Sequence, residues 1–188
     1  MVATAARLFR ERGYDGGGVG ELMAAAGFTH GGFYKHFRSK ADLMAEASAN
    51  GLSQTAARTE GVDPAEFVEK YPSREHRDGR RDGCTIAALS GDAARQSADV
   101  KTESAAGTEN LLTALQARSD TPGDVDQRAA RTMLIDMLAH SIGAIMLSRA
   151  CPDDAPLADE ILDVCRKEIL TSLAHDNSDQ PAARRTEA

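Results

Sequence analysis

At 188 residues the chain is long enough for a small domain joined to a larger one, and 41% hydrophobic with 27% charged residues provides for a packed core rather than a disordered polymer. The formal net charge of -7 argues against a protein that coats nucleic acid without selectivity. Three cysteines, Cys84, Cys151 and Cys165, are odd in number and lack CxxC spacing, which excludes a disulfide framework and a zinc site and suits a reducing compartment.

Apolar content is carried by Ala, Leu and Met, with 4% aromatic residues and no Trp, so helix is favoured over sheet. No uninterrupted apolar run approaches the roughly 20 residues that cross a bilayer, and the start lacks a basic-then-apolar signal pattern. The expectation is a soluble, cytoplasmic protein with no membrane partner. Residues 1–50 hold six Lys and Arg against five Asp and Glu, a net +1 that leaves -8 for the remainder. The acidity is therefore kept away from the N-terminal end.

In chain order, Val2, Ala5, Ala6, Leu8 and Phe9 recur at helical spacing up to Arg12, and Gly13 stands where a helix commonly ends. Tyr14 follows as a core anchor. Asp15-Gly16-Gly17-Gly18 is a connector; it lacks the preceding strand and following lysine of a phosphate-binding loop. Residues 19–26 predict a short second helix with Val19, Leu22, Met23 and Ala26 inward. Gly27 breaks it, and Thr29 is placed to cap a third helix over residues 30–37. Two helices joined by a short glycine-containing turn are the signature of a helix-turn-helix, whose second helix enters the DNA major groove.

On that second helix Phe33 and Phe37 are four apart and face the core, leaving Tyr34, Lys35 and His36 outward. Gly31 and Gly32 cost about 1 kcal/mol each relative to Ala, a cost that close approach of backbone to DNA would explain. Ser39 caps a fourth helix running from Lys40 to about residue 57. A lysine at a helix N-terminus opposes the dipole, whereas a phosphate there is attracted by both the lysine and the free N–H groups.

The stretch AARLFRERGYDGGGVGELMAAAGFTHGGFYKHFRSKADLMAEA, ending at Ala47, resembles the DNA-binding domain of the tetracycline-repressor (TetR/AcrR) family of transcriptional regulators. The resemblance rests on Arg12-Gly13-Tyr14, on Ala26-Gly27-Phe28-Thr29, and above all on Phe33-Tyr34-Lys35-His36-Phe37 followed by Ser39-Lys40. It implies that Tyr34, His36 and Lys40 contact phosphates, while Thr29, His30, Gly32 and Lys35 lie near base edges. Of these Lys35 has the best donor for guanine, so direct readout looks sparse and DNA shape would supply much of the specificity. The chain departs from the family pattern at Gly18, where Thr or Ser is usual. The hydroxyl is lost, although the Gly18 N–H is expected to stay open to phosphate. Met1 falls almost directly at the first helix, so a shortened start with weaker DNA binding is expected.

Beyond residue 57 come a short helical piece over residues 65–71 and a mixed-charge segment, PSREHRDGRRDG (residues 72–83), that reads as a solvated loop. A helix over residues 84–96 places Ile86, Leu89 and Ala93 inward, and another covers 100–118, ending before Thr121-Pro122-Gly123. The segment HRDGRRDGCTIAALSGDAARQ from His76 also resembles a loop and helix of one subgroup of the same family. Two long helices, 125–149 and 156–173, are apolar over more than one face, which requires burial on two sides. Leu134, Leu138, Ser141 and Ile145 form one face of the first, and Met133, Met137, Ala144 and Leu147 a neighbouring one.

The expected fold is all-α: a helix-turn-helix domain over residues 1–48, a larger helical effector-binding and dimerisation domain over 49–175, and a disordered polar tail over 176–188. The resemblance implies a regulator, in the main a repressor. It would bind double-stranded operator DNA as a homodimer through the two long C-terminal helices, with release by an unknown small-molecule effector. Ile86, Leu89, Leu112, Leu115, Met133 and Met137 are the candidate effector lining, although the same spacing describes plain core. His140 reads as a core histidine or a ligand contact. Cys84, opening a helix after a charged segment, reads as a small buried residue or as a reactive thiol able to sense electrophiles or oxidants. No cofactor, metal or catalytic residue is expected: GxSxG and HExxH are absent, and Asp92 and Asp136 stand isolated. Two alternative readings are a thiol-based repressor using Cys84 and a helical interaction module with weakened DNA binding.

Overall fold

The structure is a computed structural model and describes residues 1–116 and 124–178. Among these residues the chain is all-helical. Its elements are α1 (Val2–Arg12), α2 (Val19–Ala25), α3 (His30–Phe33), α4 (Lys40–Thr59), α5 (Pro64–Lys70), α6 (Arg74–Asp78), α7 (Thr85–Ala93), α8 (Ala98–Gln116), α9 (Asp124–Ala150) and α10 (Pro156–Ser178). The expected break at Thr121-Pro122-Gly123 lies outside the described residues, as do residues 179–188 of the expected tail; residues 176–178 continue α10.

Two apolar clusters organise the molecule. The first gathers Ala5, Leu8 and Phe9 of α1, Leu22 and Met23 of α2, Phe33 of α3, Phe37, and Leu43, Met44 and Ala47 of α4. The second contains Leu52 of α4, Phe67 and Val68 of α5, Ile86 of α7, Leu111, Leu112 and Leu115 of α8, and the inner faces of α9 and α10. The boundary expected at residue 48/49 falls inside α4, a continuous helix with Ala47 in one cluster and Leu52 in the other. Leu89 and Ala93 of α7 and Val100 of α8 join the N-terminal cluster, so the reading head is packed directly onto the larger part. Gly107 of α8 lies so close to Leu52 that a Cβ there would collide with its side chain; the small residue lets α4 and α8 pack closely.

Local chemistry accounts for the element ends. Gly13 ends α1 at φ 76°, and its N–H donates to the Phe9 carbonyl at 2.8 Å, the left-handed stop that favours glycine. The Thr29, Ser39, Asp63 and Ser73 side chains cap α3, α4, α5 and α6. Tyr14 is buried as expected. Because the Ser48 hydroxyl donates to the Met44 carbonyl at 2.6 Å, Tyr14 is the donor to Ser48.

Two expectations are corrected. The segment over residues 72–83 is not simply a solvated loop: it contains α6, and Arg77 is among the most deeply buried side chains, 1% exposed. Arg77 donates to the carbonyls of Ser148 and Cys151 and pairs with Asp78 and Asp153. Arg149 donates in return to the carbonyls of His76, Arg77 and Ala87. Two guanidiniums thus replace the hydration of this backbone and fasten it to the end of α9. Second, α9 between Gln127 and Ala150 is long and apolar enough, by length and composition, to cross a bilayer. It meets that measure because one face (Leu134, Met137, Leu138, Ala144, Ile145) is buried while Ile135, Met146 and Leu147 keep an opposite face apolar and open.

Candidate nucleic-acid interface and regulatory cavity

The reading element is shorter than its sequence suggests. Thr29 accepts the Gly32 N–H at 3.3 Å and starts α3, but regular α-helix ends at Phe33. The chain then tightens through Lys35 N–H to the Gly32 carbonyl (3.3 Å) and His36 N–H to the Phe33 carbonyl (2.9 Å). These are i to i+3 bonds, and one α-type bond, from Phe37 N–H to the Phe33 carbonyl at 3.0 Å, closes the last turn; two poor helix residues at Gly31 and Gly32 leave little to hold a longer regular α-helix. Phe33 and Phe37 stack at 5.4 Å between ring centroids and are both buried, as expected. Tyr34 sits edge-on to Phe33 at 5.1 Å and to His30 at 5.8 Å, yet remains 65% exposed.

The residues expected to meet DNA are all at least partly open to solvent. Thr29, His30, Tyr34, Lys35 and His36 are exposed, and Gly32 and Lys40 partly so. Lys35 and Lys40 have no ion pair among the described residues. Ser39 and Asp42 form a reciprocal cap at the start of α4: Asp42 N–H donates to Ser39 Oγ at 3.1 Å, and Ser39 Oγ donates to Asp42 at 3.0 Å. Arg38 Nε adds a bond to Asp42 at 2.9 Å, and hydrogen bonds from Arg38 and then Ser39 hold the Asp42 carboxyl below its ordinary range. This arrangement leaves Lys40 as the unneutralised charge on the first turn of α4. One expectation fails locally: the Gly18 N–H is not open but donates to Glu21 Oε2 at 3.2 Å, so a phosphate there would have to displace a carboxylate.

A cavity of about 370 Å³ opens between the end of α4, α5 and the segment that leads into α7. Its walls are the last turns of α4 (Thr55, Arg58, Thr59), Val62, α5 with Glu66, Phe67 and Lys70, and Tyr71 with His76, and it is closed by the segment Asp82-Gly83-Cys84, so charged groups of both signs line it beside the aromatic pair. Phe67 and Tyr71 stack at 4.7 Å. The His76 ring stands edge-on to Tyr71 at 4.2 Å, and its Nε2 is 3.3 Å from the Cys84 N–H. Because that N–H needs an acceptor, Nε2 is unprotonated and Nδ1 donates to the Tyr71 carbonyl at 2.8 Å. Burial lowers the His76 pKa, which keeps the ring neutral. The Tyr71 hydroxyl is buried beside the Cys84 thiol; burial raises its pKa well above the ordinary value, and the charge and hydrogen bond of Cys84 add to the rise.

Of the expected effector residues only Cys84 lines this cavity. Ile86, Leu112, Leu115 and Met137 are packed in the larger cluster with Met133 against it, and Leu89 belongs to the N-terminal cluster. His140 is exposed, neither core nor cavity. Helical spacing marks buried faces, but a void forms where faces fail to fill space, which spacing does not encode. Asp92 is not isolated: it accepts the Tyr14 N–H at 3.2 Å and ties α7 to the turn after α1.

The cavity and the reading head share a wall. Asp82 accepts from Arg7 of α1, with Nε at 2.9 Å. Arg10 of α1, only 5% exposed, donates Nε to the Arg81 carbonyl at 2.8 Å and Nη1 to Thr85 Oγ1 at 3.3 Å. Gly51 of α4 makes room for this crossing; a Cβ there would lie 2.8 Å from Arg10 Nη1 and collide with Thr85.

A capped helix-turn-helix with an open polar surface, joined to a larger helical part, is the architecture of a DNA-binding regulator. A sequence profile described as bacterial regulatory proteins, tetR family, matches residues 1–47. Among curated relatives, the transcriptional repressor DhaR of Mycobacterium sp. (strain GP1) is 29% identical over 184 residues, covering 92% of this chain and 91% of that protein. The regulator AcrR of Shigella flexneri is 45% identical over 72 residues, 38% of this chain and 31% of AcrR. Among solved structures, E. coli NemR in its reduced form superposes with a TM-score of 0.67 at 19% identity, over 89% of this chain and 92% of NemR. A TetR-family regulator from Agrobacterium tumefaciens gives 0.67 at 19% identity over 91% and 94%. Residues 1–47 thus match the DNA-binding part of the TetR family, and the chain as a whole is similar to transcriptional regulators of that family.

Proposed function

We propose that the protein is a cytoplasmic, effector-responsive repressor that binds a two-fold symmetric operator as a homodimer. Tyr34, His36 and Lys40 hold phosphates and fix the register; Thr29, His30, Gly32 and Lys35 face base edges. With so short an α3 and two glycines in it, direct readout is sparse, and DNA shape carries the rest of the specificity. The partner is a second copy docked on the open apolar face of α9 and α10. Ile135, Met146, Leu157 and Val164 are exposed there, and Gly143 has open space above its backbone, which favours close helix approach. An exposed apolar face on two adjacent long helices is what a self-complementary four-helix interface buries.

The observation that carries effector control is the shared wall: Asp82 both lines the cavity and holds Arg7 of α1. A small molecule that displaces Asp82-Gly83-Cys84 acts on the segment to which α1 is fastened. It therefore favours a different separation of the two reading heads from the one that fits half-sites about 34–36 Å apart. A coupling of about 1–3 kcal/mol, or 5- to 150-fold in operator affinity, is the ordinary scale for such control.

The test separates the two residue classes by fluorescence anisotropy on DNA from upstream of the gene and on shuffled DNA. Tyr34→Phe and Lys40→Ala should weaken binding to both DNAs alike, and Lys40→Ala should also flatten the salt dependence. Lys35→Ala with His30→Ala should reduce, but not abolish, discrimination between them. Complete loss of discrimination in the double variant would overturn the shape-based reading.

A further inference from the structure

We propose that the cavity takes a small aromatic monocarboxylate, its ring against the Phe67–Tyr71 pair and its carboxylate on the Arg58 guanidinium. The regulatory meaning of that ligand rests on the cavity being the effector site; its binding does not.

The lining divides by exposure. The Phe67 and Tyr71 rings, stacked at 4.7 Å, are buried together with Thr55, Thr59 and Cys84, whereas Arg58, Glu66, Lys70 and Asp82 are exposed. The cavity therefore has a largely apolar interior and a charged rim, a layout that accepts an amphipathic molecule with its polar end outward. On the rim, three of the four charges are already matched. Lys70 Nζ is 2.7 Å from Glu66, and Asp82 is held by Arg7 with Nε at 2.9 Å. Arg58 is in no ion pair among the described residues. Its Nη1 donates to the Asp82 carbonyl at 3.1 Å, which leaves the rest of the planar fork for an acceptor.

Together these features specify the ligand. Among the described residues the interior leaves no strong donor free. The Thr55 and Thr59 hydroxyls donate to the Gly51 and Thr55 carbonyls at 3.0 and 2.9 Å, the Tyr71 hydroxyl is engaged with Cys84, and both His76 ring nitrogens have backbone partners. A polar group placed there would lose its hydration without compensation. The inserted part is therefore hydrocarbon, and a flat ring gains most from an aromatic wall. The head is an anion, because Arg58 brings the unmatched charge and a planar carboxylate accepts parallel N–H bonds from a guanidinium. It carries a single charge, since Glu66 and Asp82 on the same rim repel a second. At about 370 Å³ the cavity is near the lower end of the range of about 300–1,000 Å³ for small-molecule sites, which limits the body to about one or two rings.

The test titrates the full chain with 2-naphthoate, 2-naphthamide and 2-naphthylmethylamine, which share a ring system and differ in charge. The chain has no Trp, so naphthalene fluorescence anisotropy reports binding directly. Naphthoate should bind about tenfold more tightly than the amide, the scale of one hydrogen bond to a charged group, and the amine should bind least. Arg58→Gln should weaken naphthoate binding about tenfold and change amide binding less than twofold, the amide showing that the cavity is still formed. Arg58→Lys, which keeps the charge and loses the fork, should retain a smaller preference for the anion. The proposal is overturned if naphthoate binds no better than the amide, if the amine binds best, or if Arg58→Gln leaves the preference in place. Naphthoate that binds as expected and leaves operator affinity unchanged counts against the cavity as effector site and not against the ligand class.

Discussion

Replacing Arg10 with Met tests whether the cavity wall is fastened to the reading head. The guanidinium is 5% exposed and has no ion pair among the described residues; it donates to the Arg81 carbonyl at 2.8 Å and to Thr85 Oγ1 at 3.3 Å. Its pKa is lowered chiefly by burial, with Asp82 acting the other way, so the fold bears a desolvation cost to keep it there. The first hydrogen bond, from a charged donor, contributes about 1.5–3 kcal/mol, and the longer one about 0.5–1 kcal/mol. Methionine keeps most of the buried volume and removes the dehydrated charge, which returns part of that. The net loss works out at about 1–2 kcal/mol. For a chain of this length each kcal/mol moves Tm by about 2–4 °C, so thermal unfolding followed by circular dichroism should fall by about 2–8 °C. Amide exchange should rise first in residues 79–85 and in α1. By contrast, Arg7→Ala removes an exposed pair worth about 0–1 kcal/mol and should shift Tm by less than the error of that range. Equal effects of the two substitutions, or an Arg10→Met protein with unchanged exchange at residues 79–85, would refute the assignment of Arg10 as the main fastening.

Phe33→Ala should cost about 3–5 kcal/mol by emptying the centre of the N-terminal cluster, so DNA binding and melting fall together. Tyr34→Phe should leave the melting curve unchanged while weakening DNA binding, since that hydroxyl is on the open surface. Met146→Glu combined with Val164→Glu places charge on the open face of α9 and α10 and should convert a dimer to a monomer by light scattering, with operator affinity lost in parallel; an unchanged dimer mass would put the interface elsewhere. Burial lowers the His76 pKa in the fold, so the unfolded chain takes up the proton first. That stabilisation is fully present above the ordinary histidine pKa and is lost as pH falls through it. Urea midpoints should accordingly drop between pH 7.5 and pH 5.5, and His76→Gln should flatten that dependence.

The helical pattern carried the architecture because buried apolar residues at a 3.6 period report directly on which face turns inward; Phe33 and Phe37, Leu22 and Met23, and the inner stripe of α9 are all found there. Caps were equally legible at Thr29 and Ser39, where a short side chain has one nearby task. Arg77 was not, because a charged residue in a mixed-charge stretch resembles a solvated one until distant backbone carbonyls are seen to surround it. The cavity was missed for a related reason. The residues named for it are so well packed that they leave no space, while its walls are threonines, an aromatic pair and a wall segment brought together by long-range contacts. The surface of α3 was legible residue by residue, but its short length was not, since the tightening after Phe33 depends on backbone hydrogen bonds around Gly32.

The most direct measurement is a footprint of the full chain on the DNA upstream of its own and neighbouring genes, repeated across salt concentrations. The account predicts protection of two symmetric half-sites whose centres lie about 34–36 Å apart, or a multiple of that distance. Affinity should fall linearly in log–log form as salt rises, and Lys40→Ala should reduce the slope. Binding with no preference over shuffled DNA at moderate salt, or protection of a single unpaired site, would contradict it.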